Sequence, residues 1–172
     1  DSYHPVYNRG VEKRTIFIDD QDYRVFLHLL KRCLSPALQH NTTHPLTELT
    51  GFTPKRTRPF QSLVGQVELL AYVLMPNHFH LLVHQHTPDG MAKLLHKVCM
   101  MYVRYFNTRY HRVGHLFQEV YKAVLITHNA HLLFLSRYFH ATNPTEVVGP
   151  QPAKIRAFPY STYAYYLGKK QA

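Results

Sequence analysis

The most constraining feature of this chain is a pair of apolar runs broken by a single short turn signal. Residues 64–75 read VGQVELLAYVLM, and residues 78–84 read HFHLLVH. Between them stand only Pro76 and Asn77. Proline cannot donate to a sheet ladder, so it punctuates the run, and two residues suffice to reverse a chain. The pattern predicts an antiparallel hairpin, and a hairpin needs further strands and a helical layer to be stable.

The second run carries an anomaly. His78 and His80 sit one residue apart inside it. Alternate side chains of a strand share a face, so the two imidazoles point one way and Phe79 the other. By strand rise their Cβ atoms are roughly 6–7 Å apart. Two such rings can converge on a metal ion or an anion, or serve as ordinary core histidines bonded to carbonyls.

The flanking segments place this hairpin in a larger order. Residues 2–17 read as a strand broken by a turn at Asn8-Arg9-Gly10. Asp19, Asp20 and Asp22 open a helix whose positive end suits acids. Tyr23, Phe26, Leu27, Leu29, Leu30 and Cys33 give it an apolar stripe, and Ser35-Pro36 ends it. Residues 36–62 read as an irregular insertion. After the hairpin, Thr87-Pro88-Asp89-Gly90 stops the strand, and a basic helix follows over about residues 91–110. A strand is predicted over 119–127, and a short helix over 130–142, capped by Asn129 and stopped by Asn143-Pro144. The order strand, helix, strand, strand, helix, strand is that of a ferredoxin-like α+β sandwich. Its helices cover one face of an antiparallel sheet, and the last helix is an addition to it. Residues 1–150 are expected to form the domain, with 151–172 a tail that packs on it or extends it.

Charge narrows the function. Twenty Lys and Arg face ten Asp and Glu, for a net charge of +10. Residues 90–172 hold eleven of the basic residues and only two acids, Glu119 and Glu146. Such a field attracts polyanions, nucleic acid first among them. The same scarcity of acids excludes a carboxylate-built two-metal nuclease in that half. Cys33 and Cys99 form no C-x-x-C pair, which argues against a zinc ribbon and fits a reducing compartment. No apolar run reaches the length of a membrane span, and the opening DSYHPVYNRG has no apolar signal core, so a cytoplasmic location is expected.

Several phrases together resemble a known family. YNRGVEKRTIF and DDQDY near the start, MPNHFHLLV in the centre, GHLFQEVYKAVLI, RYFHATNP and FPYSTYAYYLG stand in that order. The chain resembles the IS200-like single-tyrosine transposases with a histidine–hydrophobic–histidine motif, and within them the REP-associated tyrosine transposases. The resemblance implies a divalent metal, Mg2+ or Mn2+, held partly by His78 and His80. It implies Tyr138 as nucleophile and single-stranded DNA beside a hairpin as substrate. Cleavage and rejoining would pass through a 5′-phosphotyrosine, in a monomer or homodimer. In relatives a polar residue, usually Asn, stands four after the tyrosine and completes the metal site. Here Asn143 stands five after Tyr138. On an ideal helix that carries it about 100° further round. Either the helix end is distorted, or Thr142 or His140 takes the third place. Arg9, Arg14, Lys122 and Arg137 are candidate DNA contacts.

The chemistry fits the residue types. A cation neutralises the non-bridging oxygens of a phosphodiester. A phenol with an ordinary pKa near 10 needs a cation or a proton acceptor to attack. The ester it forms conserves the bond energy, so a 3′-hydroxyl can reseal the strand. Other readings compete: a binding module that stacks single strands without cutting, a decayed transposase of the same fold that binds hairpins without activity, which the Tyr138–Asn143 spacing keeps open, and a histidine metalloenzyme of cupin type, which the long helices disfavour.

Overall fold

The computed structural model describes residues 1–36 and 61–168. Its sheet has four strands: β1 (Ser2–Arg9), β2 (Val67–Met75), β3 (His78–Gln85) and β4 (Lys122–Ala123). They lie in the order β2-β3-β1-β4, with every neighbouring pair antiparallel. That is the ferredoxin-like order expected from the sequence. Pro76 and Asn77 join β2 to β3 as a two-residue hairpin, with Met75 opposite His78. The residues after β1 pin this turn. The Pro76 carbonyl accepts from the amides of Ile16 and Phe17, and the Asn77 carbonyl accepts from Gly10. Gly10 is required by close approach, because a Cβ there would stand 2.3 Å from the Arg14 carbonyl oxygen.

Helices α1 (Asp20–Leu34) and α2 (Gly90–Arg109) cover one face. α1 starts where the acidic cluster predicts: the Asp19 side chain accepts from the Asp22 amide, and Ser35 caps the other end. Phe79, Leu81 and Val83 of β3 bury themselves against Phe26, Leu29, Leu94, Val98 and Tyr102 of these helices. The alternation then turns the other side of β3 toward a second layer. There Ala71, Val73, Met75 and Leu82 pack with Ile126, Phe139 and Phe158. This second layer is made by α3 (Asn129–Arg137), a single π-helical turn (Tyr138–Thr142), α4 (Asn143–Val148), α5 (Pro152–Arg156) and α6 (Tyr163–Tyr166).

Three boundaries differ from expectation. The strand predicted over 119–127 is reduced to Lys122–Ala123, opposite Tyr7 and Val6, with one further bridge from Ile126 to Tyr3. It lies at the sheet edge, and Val120, Val124 and Leu125 are exposed, so no facing surface holds the rest in register. The cap of α3 is His128 rather than Asn129, which is its first residue. The helix predicted to stop at Asn143-Pro144 instead continues as α4 to Val148. A wide turn, closed by the Asn143 amide on the Tyr138 carbonyl, precedes the proline. Of the predicted irregular insertion, residues 37–60 lie outside the described residues.

The segment after α5 runs along the outer edge of β2. The Leu74 amide donates to the Tyr160 carbonyl and the Thr162 amide to the Tyr72 carbonyl, while Ser161 bridges Val73. Tyr160 also stacks on Tyr23 of α1 with ring centroids 3.7 Å apart.

Candidate active site

The site forms on the second face of β3. His78 and His80 project there together, as period two requires, with ring centroids 5.2 Å apart and planes nearly perpendicular. Burial holds both imidazoles in the neutral, ligating form. It pulls the His78 pKa below its ordinary value, and desolvation, with His78 adding to it, drives His80 down to about 3. Asn77 sets the orientation of His78, its amide oxygen lying 2.7 Å from Nδ1. An amide oxygen only accepts, so the His78 proton resides on Nδ1 and Nε2 is left as the donor atom.

The π-helical turn places the tyrosine. Tyr138, half-buried, opens this turn, and its ring meets that of His80 edge-on at 6.4 Å between centroids. Phe139, the next residue, is buried against His80 at 5.3 Å and anchors the turn to the sheet. The turn also resolves the spacing of Asn143. A π turn closes i to i+5, whereas an α turn closes i to i+4. Five residues of π geometry therefore return to nearly the angular position of four residues of α-helix. Asn143 is 1% exposed, and its side-chain nitrogen Nδ2 has no partner among the described residues. That NH2 group only donates, so it suits a phosphate oxygen, and the Asn143 Oδ1 is the atom that could ligate a cation.

The two other candidates for that third place fare differently. His140 turns away: its Nε2 lies 2.9 Å from Thr162 Oγ1, and its ring stacks on Tyr163. The side chain of Thr142 lies outside those described.

The proposed DNA contacts are scattered around this centre. Arg9 ends β1 directly opposite His78 and donates to Gln118 Oε1 at 2.7 Å. Lys122 lies opposite Tyr7 on β4, in a loose exposed pair with Glu119 at 3.4 Å. Arg9 and Lys122 share a small cleft with Tyr7 and Asn8. Arg14 belongs to the bend after Gly10, where it donates to the Val11 carbonyl. Arg137 is exposed immediately before Tyr138.

Three residues around the site escape the sequence reading. Tyr7 packs its ring against both imidazoles, at 5.7 Å from His78 and 4.9 Å from His80. Only strand register, which pairs it with His80, reveals it. Asn77 reads as a turn residue, although its place next to His78 is the signal. Glu146 on α4 is a third contributor, since its charge opposes the fall in the His78 pKa.

A ferredoxin-like sheet whose central strand carries two histidines beside a tyrosine-bearing turn is the arrangement that the sequence resemblance implies. Residues 62–142 match the family model described as transposase IS200 like. Its fold is similar to that of a REP-associated tyrosine transposase solved bound to a REP hairpin. That superposition has a TM-score of 0.60 at 11% identity, over 98% of this chain and 80% of the other. A Deinococcus radiodurans chain provisionally named a transposase aligns over 79% of this chain and 86% of its own, at 14% identity and TM-score 0.43. No curated protein matches the chain.

Proposed function

We propose that this protein is an IS200-like transposase that cleaves and rejoins single-stranded DNA beside a hairpin, with Tyr138 as nucleophile. The observation that carries the reading is the seating of Tyr138 over His80 by a π turn that also returns Asn143 to the helix position relatives use. His78, His80 and Asn143 would hold a divalent ion, Mg2+ or Mn2+, and imidazole ligands favour the second. The ion supplies charge neutralisation at the scissile phosphate.

The protein's own groups do the rest. The Tyr138 oxygen attacks phosphorus, the bond to the 3′-oxygen breaks, and that oxygen leaves as a 3′-hydroxyl after taking up a proton. A 5′-phosphotyrosine links protein and DNA. In the second step a 3′-hydroxyl attacks the same phosphorus and releases the phenol. Phe139, buried against the sheet, keeps the loaded tyrosine within reach for that step. Arg9 and Lys122 line a small cleft with Tyr7, whose ring packs on both histidines, and they suit the incoming backbone phosphates. The hairpin held by the structural relative supports the choice of substrate.

The test uses labelled hairpin oligonucleotides from DNA flanking the gene, incubated with Mn2+ or Mg2+ and then denatured in detergent. A metal-dependent protein–DNA adduct is expected, and Tyr138→Phe loses it while still binding DNA. Tight binding with no adduct under either metal would reduce the protein to a hairpin-binding module.

A further inference from the structure

A second histidine pair stands at the end of β3 and one residue past it. The sequence runs His78-Phe79-His80-Leu81-Leu82-Val83-His84-Gln85-His86, so the H-x-H spacing recurs six residues later, and the His84 and His86 rings again lie together. At strand rise the two pairs stand roughly 20 Å apart. The second lies at the opposite end of the sheet, beside the start of β1, and takes no part in the chemistry proposed above.

We infer that His84 and His86, with Asp1, form a separate binding site for a late first-row divalent cation of zinc type. One ligand atom from each of these three residues lies within 4.8 Å of the other two, a spacing that small rotations bring onto one ion. The two rings are 4.1 Å apart between centroids. His84 is held in place by Tyr3, which stacks on it at 4.2 Å with an interplanar angle of 10°.

The decisive detail is how the four ring nitrogens are shared. On one side, His86 Nδ1 and His84 Nε2 face Asp1 Oδ1, at 2.9 and 3.9 Å. On the other, His86 Nε2 and His84 Nδ1 face the Glu68 carboxylate of β2, at 3.3 and 3.6 Å. Ligating histidines commonly donate their remaining N–H to a carboxylate, which fixes the tautomer and strengthens the ligand. Here Glu68 serves both rings at once and leaves one nitrogen of each turned toward Asp1. Two imidazoles and a carboxylate are a donor set for Zn2+, Co2+ or Ni2+ rather than Mg2+. A bound ion would tie the start of β1 to β3, with β2 holding the ligands from behind.

The test is a Co2+ titration of the full chain carrying His78→Ala and His80→Ala, which removes the catalytic pair. One equivalent is expected to bind with visible ligand-field bands, and Zn2+ should displace it. Adding His84→Gln and His86→Gln should abolish the bands. Glu68→Gln should weaken binding about 10–100-fold, the usual effect of losing such a supporting carboxylate. Asp1→Asn is the gentler variant should the double histidine replacement unfold, and circular dichroism checks each. The site is overturned if the background protein shows no bands, or if the bands survive replacement of His84 and His86. Neither outcome bears on adduct formation by Tyr138, so the two proposals fail independently.

Discussion

Asn77 acts at the residue scale from the tightest point of the hairpin. Its side-chain oxygen holds His78 Nδ1, and its main-chain oxygen accepts from Gly10. Replacing it by alanine removes only the first of these. Asn77→Ala should therefore fold normally and bind Mn2+ in the DNA complex about 10–100-fold more weakly, as loss of such an orienting partner generally does. Isothermal titration with hairpin DNA present checks this. An unchanged affinity would mean that burial alone orients His78.

Among the elements, the π turn sets where Asn143 stands relative to Tyr138. If Tyr138–Thr142 is an α-helical turn with one residue inserted, then removing one exposed residue should restore the parent geometry. Deletion of Ala141 should preserve adduct formation within a few-fold, whereas Asn143→Ala should abolish it; a gel comparison separates the two. The sequence makes much of this visible and hides one part. His78, His80 and their shared face follow from period two, and Tyr138 follows from its phrase. The spacing to Asn143 looks wrong by about 100° because α-helical geometry is the only yardstick a sequence offers. No residue pattern announces a π turn, which is settled by how Phe139 docks on the sheet. The shrinkage of β4 is hidden for a similar reason. Apolar Val120, Val124 and Leu125 read as a strand, but whether a surface faces them is a tertiary fact.

At the scale of the whole molecule, two sets of charges do different work. Asp22, fully buried, joins the start of α1 to the end of α2. It accepts from Tyr105 at 2.7 Å, Tyr110 at 2.9 Å, Arg109 at 2.7 Å and the Ile18 amide at 2.8 Å. Removing it leaves the Tyr105 and Tyr110 hydroxyls and the Ile18 amide without their acceptor, while Arg109 keeps Asp19. At about 1–3 kcal/mol for each covered group left unpaired, Asp22→Ala should cost about 3 kcal/mol or more in urea denaturation. Asp19, its partially exposed neighbour, is held below the carboxylate range chiefly by the hydrogen bond from Arg109. A depressed pKa stabilises the fold above the free value of 3.8, and that contribution fades as the pH falls through the lower folded value. Asp19→Asn should lose stability at neutral pH and show a smaller further loss on acidification, read from thermal midpoints. The second set is the basic excess of +10. Binding of single-stranded DNA should weaken steeply with salt, and removing Arg9 or Lys122 should each lower the log–log slope by about 0.7 if each meets one phosphate.

The strip from Tyr160 to Thr162 along β2 has one more consequence. A bare strand border is a template on which a foreign strand can add, and this one is already taken by the chain's own main-chain groups. At the far border β4 offers two residues, too few to seed growth. The sheet is thereby closed to polymerisation from both sides among the described residues. A chain cut after residue 157 would keep His78, His80, Tyr138 and Asn143, yet it should become sticky. Light scattering should show it assembling into larger species while the intact protein does not.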